Sequence, residues 1–171
     1  MAQQQVSPAD AANRIVAGEQ PATVLGISES QVQALAALGY LQYQQGKFDR
    51  AEKLFRGVIA LNNTSYLGYA GLGTVALAKN PPDLATAYQN LSKAAQLNAN
   101  DATVQANLGE VLLRQGKTEE AKKSLEKAFQ LDPGHNDPGA NRARAIVGGL
   151  NIIIKGVGER IRAQSKRAKA S

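Results

Sequence analysis

The pair Leu-Gly occurs at residues 38–39, 72–73 and 108–109, at intervals of 34 and 36 residues, and each pair opens a longer shared skeleton. Gly46, Phe48, Ala51, Phe55 and Leu61 follow the first pair. Gly116, Thr118, Ala121, Leu125 and Leu131 follow the third at the same offsets, and Asp132-Pro133 closes that copy. The middle copy carries Leu84, Ala87, Leu91, Ala94 and Leu97 two residues late, with Pro81-Pro82 in the turn as the insertion. A unit of this length cannot bury its apolar face alone, so the period implies stacked copies sharing a core. Each copy reads as helix, turn, helix. The Gly after Leu lets the first helix approach the second closely, the next Gly ends the first helix, and the small Ala sits at the crossing.

This period and skeleton resemble the tetratricopeptide repeat. The expected fold is all-α: a right-handed solenoid of three helix-turn-helix hairpins, preceded by an N-terminal helix and followed by a C-terminal capping helix with a basic tail. The boundaries read from the sequence are a short helix and linker over 1–27, repeats over about 28–63, 64–99 and 100–133, a linker at 134–139, and a C-terminal helix and tail over 140–171. Ser28 with Gln31 forms a capping box that starts a helix near Glu29. Ser7-Pro8-Ala9-Asp10 starts a short helix that should end near Gly18. Asn80, Pro81 and Asp83 are expected to open the second helix of the middle repeat, because Pro is tolerated in a first turn. PGHNDPG at 133–139 is the densest cluster of breakers in the chain.

Composition supports a helical, non-enzymatic protein. Apolar residues make up 43% of the 171 and aromatics only 5%, a profile that disfavours a β-rich core. There is no Cys, so no disulfide or thiol chemistry is available and a reducing compartment is compatible. The opening MAQQQVSPADAANR has neither the basic flank nor the apolar run of a secretory signal, and no segment has the roughly 20 apolar residues of a membrane span. A cytoplasmic location is expected. His135 is the one histidine and lies among the breakers, with no second ligand for a metal and no thiol to activate. Gly71-Leu72-Gly73 with Ala76 spells a dinucleotide fingerprint, but it lies inside a helix without the preceding strand that such a site needs. Glu119, Glu120 and Asp49 sit at helix starts, where acids favour the dipole. No catalytic residue, metal site or cofactor is expected.

Function is therefore sought on the concave face, which first helices line in a repeat array of this kind. Taking the Gly of each Leu-Gly pair as register, the facing positions in repeat one are Ala36, Tyr40, Tyr43 and Gln44. Repeat two supplies Ala70, Thr74, Leu77 and Ala78, and repeat three Ala106, Glu110, Leu113 and Arg114. Small residues leave room for a guest chain, and tyrosines offer apolar area with a polar tip. Phe48 and Phe55 already supply core aromatics, which leaves Tyr40 and Tyr43 for a partner. Repeat proteins that clamp a terminal carboxylate carry Lys, Asn and Arg at the places held here by Ala36, Tyr40, Ala70, Thr74 and Ala106, so that mode of recognition is not expected.

The stretch from Gly26, GISESQVQALAALGYLQYQQGKFDRAEKLF, with GYAGLG and ANLGEVLLRQGKTEEAKKSL after it, resembles the three-repeat cytosolic chaperones of type III secretion translocators over roughly residues 20–132. The resemblance implies that the groove holds an extended segment of an aggregation-prone client before export. It also implies homodimer formation involving the N-terminal region.

The charge of +6 has a second implication, because from residue 140 onward eight basic residues face the single acid Glu159. They are Arg142, Arg144, Lys155, Arg160, Arg162, Lys166, Arg167 and Lys169, and the rest of the chain is close to neutral. Ile146, Leu150, Ile153/Ile154, Val157 and Ile161 recur there at helical spacing, as in a helix that covers the last hairpin. Gly148, Gly149, Gly156 and Gly158 argue against one long helix. The alternative function is binding of nucleic acid or an anionic membrane through this tail, with the repeats as scaffold. In that reading Lys155-Gly156-Val157-Gly158 forms a phosphate-contacting turn between two short helices.

Overall fold

The computed structural model of the chain describes residues 6–168, which hold nine α-helices and no strand. They fall into two compact units that meet at Ala99 and Asn100. The first contains α1 (Pro8–Val16), α2 (Pro21–Val24), α3 (Glu29–Gln44), α4 (Phe48–Leu61), α5 (Tyr66–Ala78) and α6 (Leu84–Leu97). The second contains α7 (Ala102–Arg114), α8 (Thr118–Gln130) and α9 (Pro138–Ala168).

In the first unit α3 pairs with α4 and α5 with α6, while α5 also packs on α3 and α4. The Ser28–Gln31 capping box forms in full, with the Gln31 side chain accepting from the Ser28 amide at 2.8 Å. Gly46 closes α3 in the left-handed region at φ 70°, where its amide donates to the Tyr43 carbonyl. The paired glycines act through close approach. A Cβ on Gly39 would lie 2.7 Å from the Phe55 ring, and one on Gly73 2.5 Å from Leu91. Gly71 is tighter still: its Cβ would stand 2.2 Å from Phe55, so this glycine sets how closely α5 seats on α4. Phe55 is fully buried between these glycines, with Ala51 and Val75 in the same cluster.

Two helix starts in this unit differ from the sequence reading. The two prolines do not enter the first turn of α6. Asp83 is the cap, accepting from the Thr86 amide at 3.0 Å, and the helix begins one residue later at Leu84. The segment before α3 holds a further helix, α2, whose Ala22 and Val24 are buried. Ala22 joins the cluster of Val32, Ala36 and Val58. Gln20 holds the segment down by exchanging two hydrogen bonds with Asn63, at 2.8 and 3.1 Å.

In the second unit α9 packs against both α7 and α8, as α5 packs against α3 and α4 in the first. Ala140 and Ala143 of α9 are fully buried, and Ala143 shares a cluster with Ala106, Leu125 and Ala128. The helix starts inside the stretch expected as linker. Asp137 caps it by accepting from the Ala140 amide at 2.7 Å, Pro138 occupies the first position where no amide is needed, and Thr103 of α7 donates to the same carboxylate at 2.9 Å. A Cβ on Gly139 would lie 2.8 Å from the Thr103 Cα, which draws the start of α9 onto α7. The glycines at 148, 149, 156 and 158 do not break the helix, and Lys155–Gly158 is helical rather than a turn. Glycine withdraws about 1 kcal/mol of helix propensity per position but removes no backbone hydrogen bond, so a helix anchored at its start continues through it.

Candidate functional site

The first-helix face of the first unit is built by α3 and α5. Ala36 and Ala70 are buried, at 1% and 2% exposure, so these small residues belong to the packing beneath the face. Tyr40, Tyr43, Thr74, Leu77 and Ala78 are half-buried, and Gln44 is exposed. Both tyrosines lean on the phenylalanines. Tyr40 meets Phe55 edge-on with ring centroids 4.9 Å apart, and Tyr43 lies tilted at 5.9 Å from Phe48. The division into core phenylalanines and partner-facing tyrosines does not hold, because one side of each tyrosine completes the core cluster of Ala51, Phe55 and Val75. Thr74 turns its hydroxyl to the Ala70 carbonyl at 2.8 Å.

The corresponding residues of the second unit lie on α7, and α9 constrains them. Ala106 is buried at 1%, and Leu113 packs against the cluster that contains Ala143. Glu110 pairs with Arg114 one turn on, at 2.7 Å, and with Arg142 of α9 at 3.4 Å. Arg142 also donates to the Asn107 side chain. Arg142 therefore sits on this face, joined to a residue that the sequence placed there independently.

Arg144 is likewise committed. It donates to the Phe129 carbonyl at 3.0 Å and to the Asp132 carboxylate at 3.2 Å, and its guanidinium lies 6.0 Å from the Phe129 ring centroid. Asp132 is buried. Burial pushes its carboxyl up, but the amides of Asn136 and Asp137 together with Arg144 outweigh that, and the group ends below the usual carboxylate range. Of the eight tail cations, Arg142 ties α9 to α7 and Arg144 ties it to the end of α8. Lys155, Arg160 and Arg162 are exposed. Lys169 lies outside the described residues, as do the side chains of Lys166 and Arg167.

One feature of the first unit had no sequence signal. A cleft of about 830 Å³ opens over α4, α5 and α6, lined by Glu52, Arg56, Tyr69, Lys79, Asp83 and Tyr88 among others. Glu52 bridges Lys79 and Arg56, each at 2.7 Å, and Lys79 first and then Arg56 hold its carboxyl below the usual range. The i,i+4 pair with Arg56 is readable from spacing; the pair with Lys79, 27 residues away, is not.

No group of acids and histidines among the described residues could hold a metal ion. Among the described residues, too, no helix is long and apolar enough to cross a membrane. The first helices carry aromatic and amide side chains at Tyr40, Tyr43 and Gln44 that are half-buried or exposed.

Comparison with known proteins agrees with the repeat. Tetratricopeptide repeat models match residues 34–65 and 102–135. Low calcium response locus protein H of Yersinia pestis is 30% identical over 105 residues, which cover 61% of this chain and 61% of that protein's length. The type III secretion translocator chaperone SycD of Yersinia enterocolitica superposes with a TM-score of 0.63 at 25% identity, over 77% of this chain and 98% of its own. PcrH of Pseudomonas aeruginosa, solved with the chaperone binding region of PopB, gives 0.58 at 29% identity, over 70% and 97%. SycD has also been solved with a peptide of the translocator YopD and in an alternative dimer. The chain therefore carries tetratricopeptide repeats and resembles, in sequence and in fold, the type III secretion translocator chaperones.

Proposed function

We propose that the protein is a non-enzymatic cytoplasmic chaperone that receives an extended segment of a type III secretion translocator on its first-helix faces and keeps that client soluble before export. The observation that carries this reading is its likeness to two chaperones solved with translocator segments bound, SycD and PcrH. The half-buried Tyr40 and Tyr43 and the exposed Gln44 are the proposed contacts in the first unit, with Thr74 and Leu77 beside them. Glu110, Leu113 and Arg114 are the proposed contacts on α7. Formation of a homodimer belongs to the same proposal.

Co-expression with the translocator encoded in the same genome tests it. The client is expected in the soluble fraction, bound to the chain, and Gln44→Ala with Tyr43→Phe should weaken the complex without lowering the melting temperature. A translocator that aggregates equally with and without the chain overturns the reading.

A further inference from the structure

The apolar stripe of α9 outlasts the surface that it covers. Its first part, Ala143, Ile146 and Val147, packs with the α7–α8 hairpin. In the same helical phase the stripe continues to Leu150, half-buried, and Val157, 49% exposed. Cβ atoms built at Gly148, Gly149, Gly156 and Gly158 would meet nothing within 4 Å. Those four positions lie off the stripe, so that side of the helix is open. The backbone nonetheless stays helical to Ala168. At 1.5 Å per residue, the part beyond Leu150 is about 27 Å long.

The chemistry of this segment selects its occupant. Lys155 and Arg162 lie on the side away from the stripe and Arg160 on its flank, and all three are exposed. Beyond Leu150 the sequence holds six basic residues against Glu159. A second copy of the same helix would meet like charge. A nucleic acid would satisfy the cations but leave the apolar side in water. An amphipathic helix with basic flanks lies in the plane of an anionic bilayer, with its apolar side 5–10 Å into the headgroup boundary. We infer that the distal half of α9 is a docking helix for an anionic lipid surface, a function separate from client binding on the first helices. It lies on the membrane and does not cross it, since no described helix is apolar enough to do so.

Flotation of the full chain with vesicles tests this. Binding is expected to equimolar phosphatidylglycerol and phosphatidylcholine, to weaken with salt, and to be absent with phosphatidylcholine alone. Neutralising three cations, as Lys155→Gln, Arg160→Gln and Arg162→Gln together, should lower partition by roughly a hundredfold. Val157→Asp should lower it by about tenfold. Both variants change exposed positions, so the helical circular dichroism and the affinity for a translocator segment should stay as in the parent. Equal partition of parent and variants overturns the inference, as does binding to neutral vesicles alone. It is also overturned if vesicles are ignored while a DNA duplex is bound, or while a dimer forms that Val157→Asp dissociates.

Discussion

Tyr40 stands edge-on to Phe55, its plane turned by 70° and its ring centroid 4.9 Å away. Phe55 is fully buried, so the tyrosine forms part of the wall around the central aromatic of the first unit. Tyr40→Ala should therefore destabilise the protein by about 2 kcal/mol, less than a fully buried aromatic would cost. Urea unfolding measures it. Tyr40→Phe keeps the ring beside Phe55 and should therefore cost less stability than Tyr40→Ala.

Gly71 and Gly57 make an opposed pair. An added methyl at Gly71 would stand 2.2 Å from Phe55, a residue that cannot move aside, whereas one at Gly57 meets Leu35 at an ordinary 3.5 Å. Gly71→Ala is expected to cost about 1–3 kcal/mol through overpacking. Gly57→Ala, inside α4, should add about 0.5–1 kcal/mol through helix propensity. Melting temperatures that move in opposite directions are the expected result, and a neutral Gly71→Ala would contradict the packing.

The repeat was legible because it is written in residues that solve the same local problem three times, a glycine under a ring or a leucine and an alanine at the crossing, while a left-handed glycine closes the first helix in the first and third copies. Gly39, Gly73 and Gly109 each face the large core side chain expected from their register. What escaped was set by distance in sequence. α2 has four residues and no period to announce it, and its place depends on Gln20 finding Asn63. The burial of Tyr40 depends on a ring in the next helix, and that of Ala106 on α9 reaching back over α7. The glycines of α9 do not end the helix because propensity is a graded cost and not a stop.

Arg142 of α9 approaches Glu110 of α7 at 3.4 Å, and Glu110 also holds Arg114. Because the carboxylate is shared and Arg142 is about half exposed, the coupling should be small, about 0.5–1 kcal/mol. A double-mutant cycle with Glu110→Gln and Arg142→Ala, read by urea unfolding, measures it directly. The same coupling should shrink at high salt. A coupling near zero, with Arg142→Ala still destabilising, would mean that the Asn107 contact of Arg142 carries the attachment instead.

Asp132 links the end of α8 to α9, and its carboxyl lies below the usual range in the folded protein. A carboxyl that ionises more easily when folded adds stability above its unfolded value, about 3.9, and loses it as the pH falls through the lower, folded value. Asp132→Asn should therefore lower the melting temperature at neutral pH, where Arg144 faces an uncharged partner. As the pH falls below the unfolded value and through the lower, folded one, the parent carboxyl takes up its proton, and the gap between the two proteins should close. Melting curves of both between neutral pH and pH 3 test the sign. A gap that widens on acidification would show that burial, rather than the amides of Asn136 and Asp137 and the guanidinium of Arg144, sets the state of this group.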